Sequence, residues 1–255
     1  MTLTLTPLPK IPLIRPGDDL AEILLNSMQS AHITPEDGDI LVLAQKIVSK
    51  AEGRLVNLNT VQPSKEAQEL ATRSQKDPRL VELILRESRE VLRVRPGTII
   101  VEHRLGFVCA NAGIDHSNVQ GEKGDPEDWV LLLPEDPDRS ALEIRRRIKF
   151  STGSRFGVMI IDSHGRAWRL GTVGMTIGLS GLPALVDRRG WTDLFGYQLK
   201  ITIIAAADEL ASAASLVMGE AAERLPAVHV RGFPYPLREG TLKELLRPKE
   251  LDLFR

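Results

Sequence analysis

The stretch Val158–Gly171, VMIIDSHGRAWRLG, opens on four apolar residues and then turns polar. A short apolar run of this kind reads as a buried strand. Directly after it come an acid, a hydroxyl, an imidazole and two guanidinium groups: Asp162, Ser163, His164, Arg166 and Arg169. A strand made for a core that delivers polar groups at its end points to a sheet whose strand ends gather at a ligand site. The strand is read over RFGVMIID, with Gly165 giving a tight turn directly after the polar pair.

Two further apolar segments end in the same way. The strand Ile40–Leu43 runs into AQKIVSK, which carries Lys46 and Lys50. The segment GTIIVEHRLGFVCANAGID alternates and is rich in β-branched residues, so it reads as two strands turning near His103 to Gly106. It runs into ANAGIDHSN, with Asp115 and Asn118 just past a glycine.

Helices are expected elsewhere. One follows the Pro-Gly turn of LIRPGDDL and is opened by Asp18 or Asp19; another is capped near Asp138 or Ser140 after the short strand VLLL and a Pro-rich turn. The segment 65–94 reads as two helices broken near Pro78. Residues 182–221 hold a small helix, a loop, a strand and an Ala-rich helix; PAVHVRG is a late strand, and the tail after PYP has room for one or two helical turns. Gly121–Asp128, GEKGDPED, reads as a polar loop with freedom to move. Strands and helices mix without a regular βαβ beat, so the expected class is α+β: mixed sheets with flanking helices, not a doubly wound Rossmann fold. No internal repeat is present, and neither GxxxxGK[ST] nor GxGxxG occurs.

Bulk properties exclude some functions. With 255 residues, 42% of them apolar, the chain can bury a substantial core. A formal net charge of -1 gives no global attraction to nucleic acid or to an anionic membrane, and neither is an expected partner. The single cysteine, Cys109, allows no internal disulfide and no multi-cysteine zinc site; flanked by Val108 and Ala110, it reads as a small core residue. The N-terminus lacks the pattern of a signal peptide, and MTIGLSGLPALV is too short to span a membrane. A cytoplasmic protein is expected.

The polar clusters carry the candidate chemistry. Asp115 and Asp162 are hard oxygen donors, and two such carboxylates suit Mg²⁺ or Mn²⁺ bridged to phosphate. Lys46 and Lys50 would add positive charge for those phosphates, and Arg166 and Arg169 have the geometry to clamp a carboxylate or phosphate. Each also has a plainer reading. An Asp after a strand is often a turn or helix cap, the lysines a solvated face, and the arginines partners for surface acids. His116 and His164 lack HxH or HExxH spacing and read as polar loop residues.

Seven pieces in order, IPLIRPGDDL, KIVSKAEGRLV, ANAGIDHSNV, LLLPEDPDRSA, IIDSHGRAWR, AADELASAASLVMGE and VRGF, resemble the coenzyme F420-0:γ-glutamyl ligase family over nearly the whole chain. The resemblance implies a GTP-dependent ligase that adds L-glutamate to F420-0 through an acyl phosphate, forming an amide. It implies one ligase domain over residues 1–255, divisible into two structural subdomains, without the C-terminal flavin-type domain some members carry, and an interlocked homodimer. Ile11, Pro12, Leu13 and Ile14 would line the nucleotide pocket; Gln45, Lys46 and Asn118 would contact GTP, and Lys50 would reach its phosphates. Met218, Gly219, Glu220, Ala221, Ala222, Glu223, Arg224 and Leu225 would form a further nucleotide loop. Two divalent ions, Mg²⁺ or Mn²⁺, would be held by Asp115, Asp162, Ser163 and Glu220, with K⁺ as an added candidate, and Lys50 and Asp162 would carry the catalysis. Beside the ligase stand two other readings: a metal-dependent GTP hydrolase or phosphotransferase with an altered acceptor, and a non-catalytic nucleotide-binding module. After GRAWR the family commonly continues Asn-Gly-Gln, whereas this chain has Leu170, Gly171 and Thr172, followed by Val173, Gly174 and Met175. That departure implies a different acceptor acid or a different number of glutamates added.

Overall fold

A computed structural model describes residues 2–121 and 124–252. From the N-terminus, β1 (Thr4–Pro7) leads to α1 (Leu20–Ser30), β2 (Ile40–Ala44), α2 (Gln45–Ala51) and β3 (Leu55–Asn57). Helices α3 (Lys65–Ser74) and α4 (Pro78–Arg86) come after them. Next are β4 (Ser88–Arg95), β5 (Thr98–His103), β6 (Val108–Ala110) and β7 (Trp129–Leu131). Helix α5 (Pro137–Thr152) precedes β8 (Gly157–Gly165) and β9 (Thr172–Ser180). The short strands β10 (Val186–Asp187) and β11 (Ile203–Ile204), helix α6 (Ala206–Met218) and β12 (Ala227–Arg231) complete the order.

The helix starts reflect local chemistry. The Asp19 carboxylate accepts from the backbone N–H groups of Ala21 and Glu22 at the head of α1, and Ser64 accepts from Ala67 at α3. Asp77 and Asp136 cap α4 and α5, each followed by a proline in the first turn, where the missing N–H costs nothing. The cap of α5 is therefore Asp136, two residues ahead of the expected Asp138. Asp138 instead reaches out of the helix to accept from the backbone N–H groups of Leu179 and Leu242.

A five-stranded sheet ordered β1-β12-β2-β8-β9 forms the centre. Only β2 and β8 run parallel; every other pair is antiparallel. On β2, Leu41 and Leu43 pack with α1 and α5 on one face, while Ile40 and Val42 pack with α6 on the other. Both faces are covered, so the strand is apolar throughout instead of alternating. A bulge opposite Ile160 and Ile161 shifts the register of β9. A side chain on Gly174 would collide with the α6 backbone at Ala211, and one on Gly178 with α5 at Pro137. These two glycines let both helices lie directly on the strand.

Strands β3 to β7 form a second layer. β4, β5 and β6 make an antiparallel sheet that packs Ile99, Val101 and Cys109 against α3 and α4, and β3 pairs with β7 beside it. The observed architecture is a mixed α+β arrangement.

Three sequence expectations are corrected. Helical spacing in 65–94 ends at Arg86, because Ser88–Arg95 pairs with β5 as a strand. The small helix expected after Leu182 is absent: residues 186–204 form a hairpin of β10 and β11. β8 runs through Asp162, Ser163 and His164 to Gly165, which pairs with Thr172, so Gly165 makes no turn. The chain reverses further on, where Trp168 and Gly171 take left-handed backbone angles. Within the polar loop of residues 121–128, Glu122 and Lys123 lie outside the described residues, and Pro126–Asp128 forms a short 3₁₀ turn. The tail holds two such turns, Leu242–Glu244 and Lys249–Leu251.

Candidate active site

The parallel register of β2 and β8 pairs Ala44 with Ile161. Beyond that pair β2 ends, so Gln45 leaves the sheet beside Asp162, which stays in β8 paired with Met175 of β9. Here β2 passes into α2, whose successive turns carry Gln45, Lys46, Ser49 and Lys50. The segment after β6 bends through left-handed Asn111 and Ala112, with the Asn111 Oδ1 accepting from the Ile99 N–H at 3.0 Å. It then brings in Asp115, whose backbone is pinned to Leu131 by two hydrogen bonds of 3.0 and 2.9 Å. Residues 11–16 and the α6–β12 loop close the remaining sides.

These segments enclose a cleft of about 1350 Å³. Every residue to which the family resemblance gave a nucleotide or metal role lines it: Ile11 to Ile14, Gln45, Lys46, Lys50, Asp115, Asn118, Asp162, Ser163 and Met218 to Leu225. Arg166, Arg169 and His116 are not among its lining residues, so the arginine clamp has no support in this arrangement. The departing segment from Leu170 to Met175 also lies outside the lining, with Leu170 almost fully exposed at the β8–β9 turn.

The polar groups in the cleft are interlinked. The Gln45 amide donates from Nε2 to Asp115 Oδ2 at 2.6 Å, and the buried Ser49 hydroxyl donates to Gln45 Oε1 at 2.8 Å. Lys46 sits 3.4 Å from Asp115 Oδ2 and donates to the Ser117 hydroxyl at 2.9 Å. Lys50 donates to the Asn118 carbonyl at 2.7 Å, and the Asn118 amide donates to the Ala221 carbonyl at 2.9 Å, tying the loop after Asp115 to the α6–β12 loop. Ser163 donates to Glu220, 2.8 Å from Oε1, and Ser215 reaches the same oxygen at 3.2 Å. His164 Nε2 lies 3.0 Å from Asp162 Oδ2.

Burial pushes the Asp115 carboxyl up to about 6; Lys46 opposes that rise and the charge of Asp162 adds to it. Burial and the neighbouring Lys46 lower the Lys50 ammonium from its ordinary value. Burial, with Asp162 nearby, pushes the Cys109 thiol up to about 12, so it stays protonated and unreactive near neutral pH.

Among the described residues no group of three or more His, Cys, Asp and Glu side chains forms a ready cage for a metal ion. The donors are instead pairs of hard oxygens: Asp115 with Asp162, whose charge lies near enough to raise the Asp115 carboxyl, and Ser163 with Glu220. This set fits Mg²⁺ or Mn²⁺ shared with a bound phosphate, because Mg²⁺ takes one or two protein carboxylates and draws its other ligands from phosphate and water.

Sequence reasoning set His164 aside as a polar loop residue, whereas it is buried on β8, and it missed Ser49 and Ser215. His164 had a signal: two residues beyond Asp162 on a strand, it shares the same face. Ser49 stands one helical turn from Gln45.

Residues 9–232 match the sequence model of the family described as F420-0:Gamma-glutamyl ligase. The chain belongs to that family. A protein of Methanopyrus kandleri named coenzyme F420:L-glutamate ligase is 50% identical to it, over 100% of this chain and 98% of the relative. Proteins of the same name from Methanothermobacter thermautotrophicus and Archaeoglobus fulgidus are 48% and 44% identical, again over 100% of this chain and over 100% and 97% of their own lengths.

Proposed function

We propose that this chain is an amide-forming ligase of coenzyme F420 biosynthesis that joins L-glutamate to F420-0 at the expense of GTP. The observation that carries this reading is the meeting of Asp115 and Asp162 in one cleft with Lys46 and Lys50, in a member of the ligase family. In this mechanism a carboxylate oxygen of F420-0 attacks the γ-phosphorus, the bond from that phosphorus to the β,γ-bridging oxygen breaks, and GDP leaves. The amine of glutamate then attacks the acyl carbon, phosphate departs with the bonding pair, and the nitrogen gives its proton to solvent. Positioning and charge neutralisation are the protein's main contributions to such a transfer.

The residues divide the work. Residues 11–14 and the loop from Met218 to Leu225 present backbone along the nucleotide. Lys46 and Lys50 face its phosphates, and Lys50 exchanges its bond to the Asn118 carbonyl for a phosphate oxygen. Asp115, Asp162, Ser163 and Glu220 would hold divalent ions, which supply charge neutralisation at the transferring phosphoryl group. The cleft draws Cys109 and Asn111 from one layer and Asp162 from the other, supporting a single ligase domain.

We further propose a homodimer. The β10–β11 hairpin exposes Leu194, Phe195 and Ile201 almost completely, an apolar surface that a second copy would cover.

Incubation with F420-0, L-glutamate, GTP and Mn²⁺, with mass analysis of the products, is expected to give one or more added glutamates together with GDP and phosphate. Asp162→Asn is expected to lower the rate by at least about 100-fold, in line with loss of a charge that serves the transition state. GTP turnover that ignores F420-0 and glutamate would favour the hydrolase reading instead, and Asp162→Asn turning over as fast as wild type would remove Asp162 from the mechanism.

A further inference from the structure

Gln45 is the first residue of α2 and lines the cleft, yet it is 1% exposed and both ends of its amide are occupied. Ser49, fully buried one turn along the same helix, donates to Oε1. An amide oxygen that accepts from a hydroxyl leaves the NH₂ group to face the other way, so the orientation of the amide is fixed by chemistry and not merely by shape. Nε2 then donates to Asp115 Oδ2. The result is a directed chain, Ser49 to Gln45 to Asp115, running from the core to the acid in the cleft. The backbone of Asp115 is separately pinned to Leu131, so the remaining freedom of its carboxylate is rotation, and the Gln45 bond restricts that rotation.

We propose that Gln45, locked by Ser49, is a positioning residue for Asp115: it holds one carboxylate oxygen and turns the other toward the cation site, and its side chain does not read the nucleotide. This rests on the metal-assisted reading of the cleft given above. Partners of this kind orient a ligand without touching the ion, and losing one typically costs metal affinity.

The test is Mn²⁺ binding to the full chain without nucleotide, monitored by electron paramagnetic resonance. Binding of a fluorescent GTP analogue in EDTA serves as the second readout. Gln45→Met, which keeps the volume but removes the amide, is expected to weaken Mn²⁺ binding by roughly 10- to 100-fold. It is expected to leave metal-free nucleotide affinity within about two-fold. Ser49→Ala, the milder change, is expected to weaken Mn²⁺ binding in the same direction. Combined with Gln45→Met it is expected to add nothing, because residues acting through one another are non-additive. Unchanged Mn²⁺ affinity in Gln45→Met and Ser49→Ala, or a loss confined to the nucleotide, overturns the relay while leaving the metal reading intact. Additive losses in the double variant overturn it too, since they would mark two independent structural defects. Wild-type protein that takes up no Mn²⁺ either alone or with GDP and phosphate present, or Asp115→Asn that takes it up as wild type does, overturns the metal reading and the relay with it.

Discussion

Asp162 and His164 stand two apart on β8, and the period of a strand puts both side chains on one face. His164 is buried, its Nε2 is 3.0 Å from Asp162 Oδ2, and its ring centroid lies 5.2 Å from that of Phe107. Phe107 in turn stacks on His103 at 5.1 Å, so a column of rings braces the imidazole that touches the acid. Replacing His164 by Phe keeps an aromatic ring against Phe107 and removes the nitrogen. Asp162 then loses a fixed partner, and the Mn²⁺ concentration needed for half-maximal ligase rate is expected to rise by roughly 10- to 100-fold while the GTP requirement holds. Steady-state rates over a Mn²⁺ titration at saturating GTP measure this, with the thermal midpoint as the control for folding. An unchanged Mn²⁺ dependence would reduce His164 to a packing residue. The acids themselves are legible in the sequence because each directly follows an apolar run or a glycine turn. Their partners are not, because hydrogen bonds between β8 side chains, or along α2, depend on β8 continuing past Asp162 and on residues 45–51 being helical.

At the scale of elements, the junction of β2 and β12 is tied by charge. Asp39 immediately precedes β2 and is almost fully buried, and Arg231 ends β12, with Val230 paired to Ile40. The Arg231 guanidinium donates to both Asp39 oxygens at 2.8 Å, and the Glu36 backbone N–H donates at 2.9 Å. Burial alone would raise the Asp39 carboxyl, but the Arg231 hydrogen bonds, with help from His229 and Glu36, outweigh it and hold the group down at about 2. An unfolded carboxyl of this kind titrates at 3.8, so the unfolded chain takes up its proton first as pH falls. The stabilisation is thus complete above about pH 4 and is lost between there and about pH 2. Arg231→Met leaves the buried carboxylate short of its partner and is expected to cost about 3 kcal/mol at pH 7. That cost should shrink as pH falls from about 4 and approach zero below about 2, where Asp39 becomes protonated in both proteins. Urea unfolding across this pH range checks both parts, and a difference that persisted undiminished at low pH would show that packing, not charge, carries it. The same elements show what the sequence discloses about fold. β2 and β8 are readable because strands covered on both faces are apolar throughout. β4 is not, because SREVLRVR is built from good helix formers and becomes a strand only through pairing with β5. β9 hides its strand character behind Gly174 and Gly178, which are there so that α6 and α5 can approach.

For the molecule as a whole, the motifs in order indicate the cleft before any coordinates do: five of the seven supply its walls and LLLPEDPDRSA supplies Leu131, which pins Asp115, while VRGF lies at the far end of β12. They say little about what covers the outside. The β10–β11 hairpin makes few demands on the core: Trp191, Leu194, Phe195, Tyr197, Ile201 and Ile203 are all exposed. Its base is held by Arg188, which stacks 3.8 Å from the Trp191 ring and also faces Tyr235, and by the pairing of Asp187 with Arg189. A structured arm carrying this many exposed apolar side chains is costly to leave in water, and such surfaces mark interfaces. If a second copy covers it, the side chains at its tip contribute to association and not to the fold of one chain. Leu194→Ser with Phe195→Asp is therefore expected to convert a dimer into a monomer at micromolar concentration without lowering the midpoint of unfolding by more than a few degrees. Sedimentation velocity on wild type and variant reads the first effect, and thermal melts at low concentration read the second. A wild-type chain that sediments as a monomer would refute the dimer. A variant that stays dimeric would move the interface off this hairpin, and the exposed arm would then need another occupant.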